Sequence, residues 1–167
     1  MKYYENAGII GFDKNDNDEV TETSISLADG TMYHTAIIDP NEVYMTKSYV
    51  KDIQQDLDEL PIILGFHPIK YLSQLEKYGL KIPTEKIVDL LDGYADEYEL
   101  AQEWGEIYLI QQGEKQLGSV KERDLGDRIY RRMCNNDHTP ALPPEKFVFE
   151  YLEYDDISDP PVDDIPF

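Results

Sequence analysis

The first third of the chain places apolar residues in short runs separated by polar turns, which is the pattern of β-strands. Residues 7–12 form one apolar run. The segments 20–27 and 31–38 flank Asp29-Gly30, a dipeptide typical of a tight hairpin turn. The sequence therefore predicts an amino-terminal β-hairpin within a small antiparallel sheet.

Beyond residue 40 the apolar positions recur every three or four residues, which predicts helices. The first helix begins at Thr46 and ends before Pro61, which cannot continue it. Four later helices are predicted at 68–79, 83–93, 95–104 with an extension towards 112, and from Ser119 to Met133. The apolar run 62–66 has no period and fits either a buried strand or a turn.

These elements predict an α+β fold in which the hairpin sheet packs with four or five helices. A length of 167 residues suits one domain with an appended tail. Residues 140–144 are proline-rich, and residues 155–167 contain three prolines and no helical period. We therefore expect a globular acidic domain over residues 1–149 and a flexible, disordered acidic tail over residues 150–167.

Charge narrows the range of partners. The chain carries 35 acidic and 15 basic residues, for a net charge of −20. Seven of these acids lie in residues 150–167, and the remainder still has a charge of −13. Such a body repels nucleic acid unless its few cations are concentrated in one place. It suits basic partners, or protein sites that normally hold DNA.

Several function classes lack support in the sequence. No apolar run approaches the ~20 residues of a membrane helix, and the amino terminus lacks a signal-like segment, so we expect a cytoplasmic protein without membrane contact. The single Cys134 excludes a disulfide framework. No nucleotide-binding or hydrolase motif is present, and neither His34 nor His67 has an acidic partner at a telling spacing. We expect a non-enzymatic protein with no cofactor and no metal.

The most specific signal is the end of the sequence, which reads Asp163, Asp164, Ile165, Pro166 and Phe167. An acidic run followed by an aliphatic residue, proline and a final phenylalanine resembles the carboxyl-terminal tip of bacterial single-stranded-DNA-binding proteins (SSB). The resemblance covers only these residues and the acids just before them. It implies docking onto replication, recombination or repair proteins that have a pocket for the SSB tip.

The chemistry of these residues suits such docking. The Phe167 ring can fill an apolar pocket while its α-carboxylate binds an arginine or lysine at the rim. Pro166 restricts the backbone and lowers the entropy lost on binding. The simpler interpretation is a solubilising tail, but an exposed Ile-Pro-Phe end does not serve solubility. The SSB body is an OB barrel, and neither the helical pattern nor the charge of this chain predicts one.

An acidic stripe is the second signal. Its six residues follow one another at spacings of three and four, and they are Asp89, Asp92, Asp96, Glu99, Glu103 and Glu106. On one continuous helix they would share a face with a rise of ~5 Å per step, close to the spacing of phosphates in DNA. DNA-mimic antirestriction proteins use such rows. The alternative is the solvated face of an amphipathic helix, and Gly93 weakens the case for one continuous helix.

The third signal is a cluster of arginines at Arg128, Arg131 and Arg132, which share one face of the last helix. They suit three roles: phosphate binding, a contact with the protein's own acidic tail, or ordinary ion pairs with the acidic stripe.

These observations favour an accessory or inhibitor protein of DNA metabolism, of the phage or mobile-element type, that docks through its tip. Two alternatives stay open. One is a single-stranded-DNA-binding protein with a diverged body, and the other is a DNA mimic that acts through the acidic stripe.

Overall fold

A computed structural model describes residues 6–28, 30, 33–106 and 117–134. Within these residues five strands form one sheet, with helices packed on both of its faces. The α+β class is therefore confirmed. No helix in this part of the chain has the length and apolar content to cross a membrane. The predicted tail and the boundary between residues 149 and 150 lie outside the described residues.

The strands are β1 (Gly8–Lys14), β2 (Val20–Leu27), β3 (Tyr33–Ile37), β4 (Ile63–Gly65) and β5 (Ile87–Asp89). The α-helices are α1 (Val43–Glu59), α2 (Pro68–Leu72), α3 (Glu97–Trp104) and α4 (Ser119–Cys134), with 3₁₀ helices at Ser73–Tyr78 and Thr84–Lys86. The sheet order is β3-β2-β1-β4-β5. Strands β1, β2 and β3 are antiparallel neighbours, whereas β4 and β5 run parallel to β1.

The predicted small antiparallel sheet is thus incomplete, because two parallel strands extend it. β4 comes from the apolar run 62–66, for which the sequence left strand and turn open. β5 replaces the helix predicted over residues 83–93, and that prediction was wrong. The segment Ile87-Val88-Asp89 pairs with β4 instead of forming a helical turn. A three-residue strand is too short to show an alternating pattern, and its β-branched residues fit a strand better than a helix.

The other helices differ from their predictions mainly at the ends. α1 begins at Val43, three residues earlier than predicted. The Thr46 hydroxyl both accepts from the Asp39 N–H and donates to the Asp39 carbonyl, each at 3.0 Å. The predicted helix 68–79 starts as α2, continues as a 3₁₀ helix and ends at Gly79 with φ of 99°. That left-handed conformation favours glycine.

Alternation along the strands divides the core into two layers. On β1, Ile9 faces α3 and α4, whereas Ile10 and Phe12 face α1. On β4, Leu64 and Ile63 divide in the same way. Both faces of the central strands are therefore buried, which explains why β1 and β4 read as continuous apolar runs.

The first turns of α4 lie directly against β1 at Gly11. A Cβ atom added to this glycine would overlap the Ser119 carbonyl oxygen and come within 2.9 Å of Glu122 Cβ. The helix is held there by two hydrogen bonds from Ser119, whose N–H donates to Asp13 and whose hydroxyl donates to Glu22. The absence of a side chain at Gly11 therefore allows α4 to lie this close to β1.

We predict that Gly11→Ala lowers the free energy of unfolding by about 2–3 kcal/mol, because the helix backbone must move to admit the methyl group. Gly79→Ala is the matched control, since open space surrounds its Cβ position and the substitution adds only left-handed strain, about 1 kcal/mol. Urea unfolding followed by circular dichroism measures both. Equal losses would show that the close approach at Gly11 does not constrain the fold.

Candidate functional site

The parallel strands β1, β4 and β5 all end at the same edge of the sheet, where α/β proteins commonly place their ligand sites. The amino-terminal turns of α3 and α4 reach this edge as well. Ionisable side chains from β1, β5, α3 and α4, and from the residue before α2, meet there. We call them the carboxyl-edge cluster, and they are Lys14, His67, Asp89, Glu97 and Glu122.

Glu122 on α4 is the buried centre of this cluster, with a side chain 1% exposed. Its Oε1 accepts the Phe12 backbone N–H at 2.9 Å. β4 pairs with β1 only at Gly8 and Ile9, so it ends before it can accept that N–H. A buried strand N–H needs an acceptor, and the Glu122 carboxylate supplies it.

Lys14 fills the space next to Glu122. Its Nζ lies 2.6 Å from Glu122 Oε2, and its side chain is only 5% exposed. The same ammonium lies 4.9 Å from the ring centre of Tyr71, which a second cation, Lys70, approaches to 5.1 Å. The Tyr71 hydroxyl donates to Asp18 at 2.9 Å. The lysine is thus held by a carboxylate on one side and an aromatic face on another.

A second carboxyl group changes the protonation of this centre. Burial raises the pKa of Glu122, the neighbouring Glu97 raises it further, and Lys14 opposes the shift. Burial likewise raises the pKa of Glu97, which Lys14 opposes. Two carboxyl groups beside a single ammonium favour a state in which one of them keeps a proton.

His67 and Asp89 form the outer part of the cluster. His67 has φ of 50° and ψ of 49°, an uncommon conformation for a residue other than glycine. The Asp89 carboxylate accepts its backbone N–H and lies beside its ring Nδ1, both at 2.9 Å. Asp89 also accepts the Leu91 N–H at 2.9 Å. One aspartate therefore fixes both the strained backbone and the imidazole.

Each histidine has an acidic partner in the structure, although the sequence shows none at a telling spacing. His67 pairs with Asp89, and His34 on β3 contacts Asp56 on α1. Both partners lie 22 residues away along the chain. Such pairs depend on which strands and helices become neighbours, so residue spacing does not show them.

The chemistry of the carboxyl-edge cluster is that of a neutralised, mostly buried ionic group. Lys14 already supplies a cation beside Glu122, at 2.6 Å. Among the described residues, no group of three or more His, Cys, Asp or Glu side chains is arranged to hold a metal ion. The cluster links α4, α3 and the strand ends, and its His67–Asp89 part is partly exposed.

The acidic stripe does not lie on one helix, so its six residues do not form the continuous row that a single helix would give. Asp89 ends β5, Asp92 lies in a turn, and Asp96 caps α3 by accepting the Glu99 N–H. Gly93 takes φ of 90° and interrupts any helix. The acids that the structure leaves exposed are Asp92, Asp96, Glu99 and Glu103. Asp96, Glu99 and Glu103 follow one another at spacings of three and four along α3, and Asp92 lies in the turn before it, so the four form an acidic face along that helix.

The last acid of the stripe, Glu106, is 2% exposed and binds the predicted arginines instead of solvent. Its carboxylate lies 3.1 Å from Arg132 Nε and 3.7 Å from Arg128 Nη1. Burial raises the pKa of Glu106, and both arginines oppose the shift. Of the three roles considered for the arginines, ion pairing with the acidic stripe is therefore present, and it occurs at Glu106.

The remaining arginine of the cluster is also engaged within the protein. Arg131 Nε lies 3.1 Å from Asp127, and its Nη2 donates to the Ala28 carbonyl at 2.8 Å. Arg128 adds a second pair with Asp124 at 3.5 Å. The pairs with Asp124 and Asp127 lie within α4, whereas the contacts with Ala28 and Glu106 tie α4 to the residue after β2 and to the segment after α3.

The tip residues 163–167 lie outside the described residues. Comparison of the chain with protein-family models, curated proteins and solved structures finds no match.

We predict that Glu122→Gln flattens the pH dependence of stability. Because the pKa of Glu122 is raised in the folded state, the native protein holds a proton that the unfolded chain releases above the ordinary value of 4.5. Wild-type stability should therefore fall as pH rises from 4.5 towards the raised pKa, and the glutamine variant should lack this part of the slope. Urea midpoints measured across that range test it.

The exposed Glu85 provides the matched control for this experiment. Glu85→Gln should leave the slope of stability against pH as in the wild type. A Glu122→Gln variant with the full wild-type slope would contradict the assignment of the proton to this carboxyl group.

Proposed function

We propose that this chain is a non-enzymatic docking protein of DNA metabolism, which binds through its carboxyl-terminal tip to proteins that have a pocket for the SSB tip. The observation that carries the proposal is the terminal sequence Asp163 to Phe167. It joins an aromatic ring, a free carboxylate, a rigid proline and two acids in the order that such a pocket recognises. The proposal takes Phe167 as the last residue of the protein.

The body would then act on the captured protein through charge. The acidic face of Asp92, Asp96, Glu99 and Glu103 is exposed around α3. With a net charge of −20 on the whole chain, this surface suits the basic DNA-binding site of a docked partner. Occupying that site would block or modulate its DNA handling, which makes the protein an inhibitor or accessory factor.

The ion pairs of the arginines favour this proposal over direct binding of single-stranded DNA. A DNA-binding body needs cations that are available to phosphate. Arg128, Arg131 and Arg132 each pair with an acid of the same protein. Breaking such pairs, of which that to Glu106 is buried, would offset part of the gain from a phosphate contact.

Deleting Ile165-Pro166-Phe167, or replacing Phe167 by Ala, should weaken binding to a purified SSB-tip-binding repair protein about 100-fold or more. Removal of the aromatic anchor takes away the residue that fills the pocket, and such anchors dominate small interfaces. Adding one glycine after Phe167 should have a similar effect, because it moves the carboxylate away from the ring. Isothermal titration calorimetry measures the affinities.

Ile157→Ala is the matched control, since Ile157 is an apolar residue of the same tail upstream of the tip. It should bind as the wild type does, and a synthetic SSB tip peptide should compete with both. Undiminished binding by the deletion variant would refute docking through the tip.

Single-stranded DNA provides a separate test of the alternative. Fluorescence anisotropy of labelled oligo-dT at low salt should show no binding by the intact protein or by a variant that ends at Asp159. Both are needed because an acidic tail competes with DNA. Binding that is stronger without the tail, with an affinity that falls as salt rises, would identify a DNA-binding body and contradict the proposal.

A further inference from the structure

Strand β3 forms one edge of the sheet in the described part of the chain, and it lacks the usual protection of such edges. Natural edge strands commonly carry lysine, proline or a bulge that prevents pairing with another chain. β3 reads Tyr33-His34-Thr35-Ala36-Ile37, with none of these features. Tyr33 is 51% exposed and Ile37 is 44% exposed. Within the described residues, the edge therefore presents both unpaired backbone groups and apolar side chains.

The hydrogen-bond pattern identifies which backbone groups of β3 point outward. The Ile38 N–H donates to the Thr21 carbonyl on the β2 side. Residues of an antiparallel strand alternate between bonding one neighbour and facing the other way. Residues 34 and 36 therefore bond to β2. The N–H and C=O groups of Tyr33, Thr35 and Ile37 face away from the sheet.

These outward groups match one self-complementary arrangement. If a second β3 pairs antiparallel about a twofold axis at Thr35, Tyr33 lies opposite Ile37 of the other copy and Thr35 lies opposite its own equivalent. All three outward residues then fall in hydrogen-bonded pairs. Each end of the ladder places an aromatic ring against a β-branched side chain, a favourable cross-strand pair.

One side chain is already positioned for this pairing. The Arg123 guanidinium lies 4.6 Å from the ring centre of Tyr33. That contact from α4 holds the aromatic ring on the face where Ile37 of the second copy would lie, which reduces the entropy lost on pairing.

We infer that this protein forms a symmetric dimer by antiparallel pairing of β3 with β3 of a second copy, centred on Thr35. The pairing joins two five-stranded sheets into one ten-stranded sheet. Each copy carries a charge of −20, so the two bodies repel each other while the uncharged edge attracts. Dimerisation is therefore weak at low ionic strength and strengthens as added salt screens the repulsion.

Sedimentation velocity of the full-length protein over a range of concentrations measures dimerisation. Charged substitutions at residues 33 and 37 then test the register of the pairing. Tyr33→Lys and Ile37→Glu should each weaken dimerisation about tenfold or more, since each change occurs twice at the interface. The double variant should regain most of the affinity, because each lysine then faces a glutamate of the other copy. Within one copy residues 33 and 37 lie ~13 Å apart along the strand and do not pair.

Ile69→Lys is the matched control, since Ile69 on α2 is 45% exposed and lies away from β3. It should dimerise as the wild type does. Rescue by the double variant supports the pairing about Thr35. A wild-type chain that stays monomeric in high salt, or a dimer that neither single variant weakens, would overturn the inference. Circular dichroism of each variant separates loss of pairing from loss of folding.

Discussion

The buried contact of Glu122 with β1 determines how the two halves of this molecule fit together. Its carboxyl oxygens accept the Phe12 N–H that β4 is too short to reach and an N–H of the Lys14 ammonium, as they can with or without the proton that its raised pKa retains. Without it, α4 would lie on a sheet whose central strand has an unsatisfied buried donor and a buried cation. Such groups are costly, and removing one partner of a buried pair commonly costs about 3–5 kcal/mol. The position of α4 therefore depends on one side chain as well as on its apolar face.

Helix α4 connects the Glu122 contact to the other ion pairs of the protein. The same helix carries the arginines that bind Glu106 behind α3, and its first turn is fixed to Asp13 and Glu22 through Ser119. A strongly acidic chain thus places its few arginines where they hold helices together. Other acids of the described part, among them Asp92, Asp96, Glu99 and Glu103, stay exposed, so a packed core coexists with an acidic surface.

How far the sequence predicts this fold depends on the length of each element. The hairpin around Asp29-Gly30 and the helix α1 have enough residues for a period to appear, and both are present. β4 and β5 have three residues each, and their pairing with β1 rests on contacts far along the chain. The stripe of six acids had a helical spacing, yet Gly93 and the pairing of β5 placed its first half outside any helix.

The carboxyl-edge cluster was missed for a related reason. Lys14 and Glu122 are 108 residues apart, and each alone is an ordinary charged residue in an amphipathic segment. The available signal was indirect: Glu122 lies among the inward positions of a helix whose apolar face is otherwise regular. A charged residue on such a face needs a buried partner. The pattern therefore indicates that a cation contacts Glu122, but it does not show which cation. The topology brings the end of β1 beneath the first turns of α4, and Lys14 is therefore the cation that contacts Glu122. A lysine there occupies the sheet edge at which α/β proteins often bind ligands.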